Sequence, residues 1–471
     1  MAKFSQLLFL FIYLPVFCLA QDPLLNATIL TPEDFVSIVK KYHPIIKQAT
    51  IEIEKAKAAI VIARGGFDPM VYVSNDQKQI SGKNYYSYTN PELKIPTWFG
   101  IELKAGLENN SGKYLNSEVT SGQSSYLGVS VPLAKNLLMD NRRAVLQQSK
   151  IFRDQTETER TNTVNDLLSE AYVTYWNWVK EYQLYQILSD AVKVNESRFS
   201  LVKIGFRQGD RPAIDTVEAL VQLQNFQYLQ NESWVKFKNA GVSLSAFLWL
   251  ENNSYYQLNE NVVPDSKWNQ PNMNDIPLGL LDDILYAARL SHPKLISYSF
   301  KLKSLEVERK LKFQSLLPTF TLRGNLLNTG YNVFKGSDAT FFQNNNKFGI
   351  DIGIPLRLSE GRGAYKMAKL KIDETNWSVS LQQQEIENKI RFYYNELTGL
   401  QKQIYIYEQT YNNYQILYRG EDIRFREGES TLFLLNIREN KLLEALQKLT
   451  ELKTKFYKTQ VSVQWAAGLL R

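Results

Sequence analysis

His43 and His292 are the only two histidines in this 471-residue chain, and each is followed by proline. Two imidazoles are suited to binding a metal ion or to general acid–base catalysis. An internal duplication would also place two histidines in matching positions. His292 lies 249 residues after His43, and Pro318 follows Pro69 by the same interval. Both intervening segments change from a helical pattern to an alternating strand pattern, so the sequence favours duplication over a metal site.

Each His-Pro dipeptide also predicts a local structure. Proline is accommodated in the first turn of a helix, and it forces the preceding residue into extended geometry. We therefore expect a helix to begin at each dipeptide, with a shorter helical segment before it at 31–42 and at 280–291.

The first twenty residues are typical of a secretory signal peptide. Lys3 supplies the positive charge, residues 7–17 form the apolar core, and Cys18 and Ala20 suit the cleavage site. Lipid attachment at Cys18 is a less favoured alternative, because Pro15 to Phe17 are bulky for that processing site. The mature chain would have no cysteine, which excludes disulfides and thiolate metal sites.

Charge and motifs exclude several classes of protein. The net charge is +7, but both signs are mixed along the chain and no basic cluster indicates nucleic acid as a partner. The segment "LSEGRG" at 358–363 lacks the spacing of a phosphate-binding loop. No catalytic set of residues can be identified. We therefore expect no enzymatic activity, no cofactor and no metal.

The duplication predicts two halves with the same order of elements. A polar stretch with three prolines joins them at 251–277. The predicted organisation begins with a signal peptide (1–20) and a first repeat (21–250), in which a helix at 31–66 precedes strands at 69–133 and a helical hairpin at 138–249 that turns near 206–212. The connector (251–277) follows. The second repeat (278–471) has a helix at 280–316, strands at 318–356 and a helical hairpin at 362–470 that turns near 425–430.

The strand segments alternate between apolar and polar residues. The clearest are 98–107, 126–133 and 348–356. Such alternation fits a half-buried soluble sheet, and it also fits a membrane barrel with lipid outside and water inside. The segment 109–125 is rich in Ser, Gly and Asn, which predicts an extra loop or small hairpin there.

The helical segments are unusually long. No proline occurs between Asp140 and Gly205, and apolar residues recur in heptads from Ile386 to Tyr407. A helix of about 65 residues would extend roughly 100 Å, so it must pack lengthwise against other helices.

Each long helix ends in similar text, "FRQGD" at 206–210 and "FREGE" at 425–429. Gly209 and Gly428 suit the left-handed residue that closes a helix. Asp210 and Glu429 are followed by residues that suit the start of a return helix. Each half therefore contains an antiparallel helical hairpin.

This arrangement predicts an oligomeric conduit. A closed barrel needs about eight strands, and open strand edges are not tolerated in lipid. If these strands enter a membrane, several copies must share one barrel. The same symmetry would pack the helices into a tube, with the strands at one end and the helix turns at the other.

In these features the chain resembles the TolC-like outer-membrane efflux channels of Gram-negative bacteria. The resemblance rests on the duplicated layout, the strands "GVSVPL" and "GIDIGIPL" that lead into helices, and the "FRQGD" and "FREGE" turns. It implies a mainly α fold with β-strands: long antiparallel coiled-coil hairpins and membrane strands in two repeats, forming a TolC-like α-barrel and β-barrel as a homotrimer. Each protomer would give four strands to a twelve-stranded barrel in outer-membrane lipid, above a periplasmic helical tunnel.

The resemblance also implies a role for the turns, as the docking site of a periplasmic adaptor that is tied to an inner-membrane pump. Ordinary helix capping is the alternative for the same residues. The candidate residues for adaptor docking and for the periplasmic gate are Phe206, Arg207, Gly209, Asp210, Phe425, Arg426, Glu427, Gly428 and Glu429.

Aromatic residues cluster around the first strands and suggest either a girdle at the lipid interface or ordinary sheet packing. They are Tyr72, Tyr85, Tyr86, Tyr88, Trp98, Phe99 and Tyr126.

The predicted function is passive efflux of drugs or other toxic compounds across the outer membrane. One alternative is a channel for secreting proteins or peptides, and another is a secreted coiled-coil scaffold that does not conduct.

Overall fold

The computed structural model describes residues 29–114, 122–269, 280–331 and 345–471. The predicted signal peptide at 1–20, and parts of the 109–125 segment and of the connector, lie outside these ranges. The described residues form two compact units. One comprises 29–43, 174–269 and 407–454, and the other comprises 44–114, 122–173, 280–331, 345–406 and 455–471. Each unit draws on both halves of the sequence, and the repeat boundaries remain predictions.

Long helices dominate the described residues. Two of them, α3 and α7, are 68 residues each, and both contribute residues to the two units. The α-helices are α1 (Pro32–Tyr42), α2 (Pro44–Gly65), α3 (Asn141–Gln208), α4 (Ala213–Ser245), α5 (Leu281–Ser291), α6 (Pro293–Gln314), α7 (Ser359–Arg426) and α8 (Leu432–Ala466).

The two histidines occupy matching backbone positions. His43 separates α1 from α2 with φ −64° and ψ 131°, and His292 separates α5 from α6 with φ −65° and ψ 124°. Their surroundings differ. The His43 ring packs 5.9 Å from that of Phe247 within one unit. In the other unit, His292 Nδ1 accepts a hydrogen bond from the Lys294 backbone N–H at 3.1 Å and so caps α6.

Six antiparallel strands form one sheet in the unit that contains α2, α5 and α6. Their spatial order is β2-β3-β4-β5-β7-β8. A separate two-stranded parallel sheet in the other unit pairs β1 with β6. The strands are β1 (Ile29–Leu30), β2 (Met70–Ile80), β3 (Lys83–Pro96), β4 (Glu102–Ser111), β5 (Gln123–Pro132), β6 (Val263–Pro264), β7 (Thr319–Thr329) and β8 (Asn346–Gly353).

The strand count differs from the four per protomer that the resemblance implies. Within the described residues, the first half gives four strands to the large sheet and the second half gives two. By the interval of 249 residues, β2 corresponds to β7, so the two extra strands of the first half lie between β2 and β5. An extra loop was expected at 109–125; residues 115–121 of that segment lie outside the described ranges. Apolar and polar residues alternate over only a short part of β3, because tyrosines and prolines interrupt the pattern.

The predicted strand at 98–107 is also shorter than expected. Residues 97–101 form a tight turn instead, in which the Thr97 hydroxyl donates to the Ile101 carbonyl at 2.8 Å. The strand begins at Glu102. Apolar residues alternate with other residues through this turn as well as through the strand. Periodicity alone therefore predicted a strand that begins too early.

The aliphatic heptad positions of α7 are buried. In one unit Leu285 of α5 packs with Ile386 and Ile390 of α7. In the other unit, Leu188 and Val192 of α3 pack with residues of α4. No helix in the described ranges combines the length and the hydropathy needed to cross a bilayer. The same ranges contain no group of three or more His, Cys, Asp or Glu side chains able to hold a metal ion.

The capping role of His292 predicts a pH-dependent stability. Burial, followed by the charge of Lys294, lowers the pKa of His292 from 6.5 to about 4, although Asp166 acts in the opposite direction. The unfolded chain therefore binds a proton that the folded chain excludes, and stability falls as the pH drops from about 6.5 to about 4. Within that window each pH unit costs at most about 1.4 kcal/mol.

The substitution His292→Asn keeps a side-chain cap and removes the titration. We expect the thermal midpoint of the variant to fall less than that of the wild type between pH 7 and pH 4, measured for both proteins in detergent. Equal slopes for the two proteins would contradict this assignment.

Candidate functional site

Both turns between long helices lie in one unit and share one geometry. Gly209 follows α3 with φ +83°, and Gly428 follows α7 with φ +79°. The Asp210 N–H reaches back to the Gly205 carbonyl at 2.9 Å, and the Glu429 N–H bonds to the Arg424 carbonyl at 2.9 Å. These bonds close each helix in a Schellman motif, which requires a left-handed residue that glycine adopts without strain.

The charged residues predicted at the turns are exposed. Arg207, Asp210, Glu427 and Glu429 form no ion pair with other described residues of the chain. Arg426 pairs with Asp422 at 2.8 Å, and Phe206 is 44% exposed. These side chains are therefore available for a partner.

Phe425 differs from the other predicted residues because it is buried, at 7% exposure. It packs with Val202, Ala219, Leu432 and Leu435 in a small core beneath the turns. Its role in this unit is to hold the two hairpins together.

Arg211 connects the two turns, and no sequence pattern marked it as a site residue. Its guanidinium carbon lies 3.9 Å from the centre of the Phe425 ring. Nη2 donates to the Phe425 carbonyl at 3.2 Å, and Nη1 lies 3.5 Å from an Asp215 carboxylate oxygen. One side chain thus stacks on the second hairpin, caps its helix end and pairs with its own hairpin.

A buried ion pair lies farther along the same helices. Arg198 of α3 donates to both carboxylate oxygens of Glu439 of α8, at 2.6 and 3.0 Å. Nη2 of Arg198 also donates to the Tyr418 hydroxyl of α7 at 2.9 Å, and Asn195 donates to Glu439 at 3.2 Å. Burial acts to lower the pKa of Arg198, but hydrogen bonds and the charge of Glu439 outweigh it and the pKa is raised. Three helices are therefore joined by one charge-assisted network.

Two amide contacts extend this polar seam between α4 and α8. Asn436 donates to Glu218 at 3.1 Å, and Gln222 donates to Asn440 at 2.8 Å. The sequence signal for these residues is weak, because a polar residue on a long amphipathic helix usually faces water.

The large sheet in the other unit has one apolar face. The register places the members of this face on the same side of all six strands, because directly paired residues share a face. Many of them are exposed, including Val71 at 72% and Phe348 at 63%. The apolar face comprises Val71, Val73, Leu93, Ile95, Leu103, Ala105, Leu107, Leu127, Val129, Val131, Phe320, Leu322, Leu326, Phe348, Ile350 and Ile352.

The opposite face is polar and internally paired. Tyr126 donates to Glu92 at 2.5 Å, and Arg323 pairs with Asp351 at 2.7 Å. Lys94 lies 3.1 Å from Glu92. Polar side chains on this face therefore pair within one strand, between the neighbouring strands β7 and β8, and from β5 to β3 across β4.

Of the two alternatives for the aromatic residues of the first strands, four of these residues fit sheet packing better than a girdle on the apolar face. The register places Tyr72, Tyr86, Tyr88 and Tyr126 on the polar face, opposite the exposed apolar face. Tyr86 and Tyr88 stack on each other at 4.6 Å. Because side chains alternate between the two faces of a strand, these tyrosines share a face with the charged residues. Counting aromatic residues in the sequence does not show which face they occupy.

Comparison with protein-family models and with curated proteins gives no match. Solved structures do match. The outer membrane channel CmeC of Campylobacter jejuni is 18% identical, with 93% of this chain and 86% of that chain covered at a TM-score of 0.63. The outer membrane protein VceC of Vibrio cholerae is 12% identical, with 93% and 96% covered at 0.63. The outer membrane channel MtrE of Neisseria gonorrhoeae is 13% identical, with 93% and 89% covered at 0.63.

These likenesses show that the chain has the fold of TolC-like outer-membrane channels, as the sequence predicted. The proteins that it resembles are channels rather than enzymes, in agreement with the expectation from the sequence.

The Arg198–Glu439 pair predicts a large effect of a single substitution. Removing one partner leaves a buried charge without its counterion, so we expect Arg198→Ala or Glu439→Ala to lower the free energy of unfolding by about 3–5 kcal/mol. Chemical denaturation in detergent measures this change.

The exposed pair Lys441–Glu444 provides a matched control, because both side chains are more than half exposed. Glu444→Ala should cost at most about 1 kcal/mol. The double variant Arg198→Leu with Glu439→Leu should be less destabilised than either single variant. A single-variant cost no larger than that of the control would exclude the pair as a clamp.

Proposed function

We propose that this protein is an outer-membrane channel that conducts solutes passively from the periplasm to the outside of a Gram-negative bacterium. The observation that supports it best is the large sheet, which exposes a continuous apolar face and opposes it with a paired polar face.

The exposed apolar face of the large sheet supports a location in a membrane. Apolar surface costs about 25 cal/mol per Å² when it is left in water, so a soluble protein would cover such a face. From Phe320 to Leu326, the apolar positions of β7 span about 20 Å at roughly 3.4 Å per residue. That length is close to the band of about 25 Å found in membrane strand proteins. Lipid contacts this face in the proposed state, and the polar face lines water.

The sheet also explains the need for further copies. An open sheet in lipid would leave backbone groups at its edges unsatisfied. We therefore propose that three copies close a shared wall of strands, as the fold resemblance implies. Exposed apolar residues recur at helical spacing on α7, at Met367, Leu370, Trp377 and Leu381, and a neighbouring copy would cover them in a periplasmic helical tunnel.

The turns form the periplasmic mouth of this proposed channel. Exposed Arg207, Asp210, Glu427 and Glu429 are suited to ion pairs with a periplasmic adaptor or with neighbouring turns. Exposed Phe206 offers an apolar contact beside them. The adaptor would connect the channel to an inner-membrane pump, which supplies the energy for export of drugs or other toxic compounds.

Planar-bilayer recording tests the central claim. The purified protein should give discrete single-channel currents, because a closed wall of strands encloses a water-filled pore through which ions pass. A non-conducting scaffold gives none, and absence of currents from correctly assembled protein would exclude the channel.

Arg211 predicts how the mouth is held closed. The substitution Arg211→Ala removes the stack on Phe425, the bond to its carbonyl and the ion pair to Asp215. We expect a higher single-channel conductance because the two turns lose one set of the contacts that restrain them. Lys448→Ala, which removes an exposed cation of α8, should conduct like the wild type. Equal conductance of the two variants would show that Arg211 does not restrict the mouth.

A deletion strain identifies the cargo. Increased sensitivity to toxic compounds supports efflux, whereas loss of secreted proteins with unchanged sensitivity supports protein export instead.

A further inference from the structure

Within the described residues, the large sheet ends on two strands that each have a paired strand on one side only. Among the described residues, β2 pairs only with β3, and residues 347–353 of β8 pair only with β7. The sheet has six strands that alternate in direction. Because six is even, β2 and β8 run antiparallel to each other, so β8 of one copy can pair with β2 of the next without breaking the alternation.

The β2–β3 hairpin continues the apolar face of the rest of the sheet. Val71 of β2 pairs with Leu93 of β3, which pairs with Ala105 of β4 on the same face. Ile95 of β3 pairs in turn with Leu103 of β4. The hairpin therefore presents to lipid the same surface that the inner strands present.

The border of the apolar face also runs through the hairpin. Asn75 of β2 pairs with Thr89 of β3, and Thr89 pairs with Asn109 of β4. Farther along, Ser125 of β5 pairs with Asn328 of β7, again where the apolar residues stop. A hairpin lying outside the membrane would have no reason to share this border.

The two edge strands match each other in chemistry. Val71 and Val73 on β2 are 72% and 65% exposed, and Phe348 and Ile352 on β8 are 63% and 64% exposed. The opposite sides of the same strands bear polar residues, such as Ser74 on β2 and Asp351 on β8. Pairing of the two edges joins apolar to apolar and polar to polar.

We infer that β2 of one copy pairs with β8 of the next copy, so that each copy contributes six strands to the shared wall. This inference rests on the proposed channel function. It replaces the four strands per copy that the resemblance implies, and it assigns β2 and β8 as the strands of the seam between copies.

The inference changes the width of the pore. Three copies of a six-stranded sheet give eighteen strands in place of twelve. The diameter of a closed wall grows roughly in proportion to its strand number, so the lumen would be about one and a half times as wide. Membrane proteins of about 16–18 strands enclose an open aqueous channel.

The competing arrangement keeps β2–β3 outside the wall and uses β4 as the seam strand. In that case the β3–β4 pairing would open when copies assemble, and β4 would meet β8 of the neighbouring copy. Cysteine cross-linking distinguishes the two arrangements. The only cysteine is Cys18, in the predicted signal peptide, so the mature chain has no background thiol.

The test combines Ser74→Cys on β2 with Lys347→Cys, Gly349→Cys or Asp351→Cys on β8, one pair at a time. All four positions lie on the polar face. A disulfide forms only when two Cα atoms lie within about 7 Å, so three β8 positions sample the registers that the edges permit. We expect at least one pair to give a ladder of covalent oligomers on a non-reducing gel, which a reductant abolishes.

The matched control replaces Ser74→Cys by Lys104→Cys, on the same face of the inner strand β4. We expect no oligomer ladder from Lys104→Cys with any β8 cysteine. A ladder from Lys104→Cys, or no ladder from any Ser74→Cys pair in membranes that contain the assembled protein, would overturn the six-stranded contribution. A cross-link confined to single chains would overturn it as well, because the sheet would then close on itself.

Conductance separates this inference from the proposed function. If the wild-type protein conducts and only the Lys104→Cys variants cross-link, the protein is a channel to which each copy contributes four strands. If the protein cross-links through Ser74→Cys but does not conduct, the pairing of β2 with β8 is supported and the channel function is excluded. The number of steps in the ladder counts the copies in the ring.

Discussion

The structure depends on a large sheet whose two outermost strands each pair with one other described strand. One face is apolar and exposed, and both edge strands present backbone groups that no described strand of the chain accepts. Backbone N–H and C=O groups away from water must be bonded, and apolar surface must be covered. In the proposed channel, lipid would cover the apolar face and a neighbouring copy would pair with the edge strands. Membrane insertion and assembly would then satisfy the same sheet.

The helix turns are built on a different interaction. In that unit the hairpins are joined by charge-assisted hydrogen bonds, at Arg198 with Glu439 and at Arg211 with the end of α7. A buried ion pair adds little stability compared with apolar packing, but it is directional and costly to leave half-made. Such contacts fix the relative positions of helices whose apolar seams alone would permit sliding.

The two histidines that the sequence predicts to be repeat counterparts have the same backbone geometry in different surroundings. His43 and His292 have the same φ and ψ within ten degrees, yet one packs against an aromatic ring and the other caps α6. The two halves also contribute unequally to the large sheet, since among the described residues the first half supplies four of its strands and the second half supplies two. A strand pair can be added to the edge of a sheet without disturbing the inner pairings, whereas an added turn in a heptad seam would shift every later contact.

The sequence by itself determined the elements whose signals are local. Proline after histidine marked the starts of α2 and α6, the heptads of α7 predicted its buried side, and Gly209 and Gly428 marked the ends of the long helices. Those signals depend on φ, ψ and the helical period, which neighbouring residues set. The tertiary structure alone decided the six-strand order, the side of the sheet on which the tyrosines lie, and the partners of Arg198 and Arg211. Each of these depends on residues far apart in the chain, and a single sequence records no pairing between distant residues.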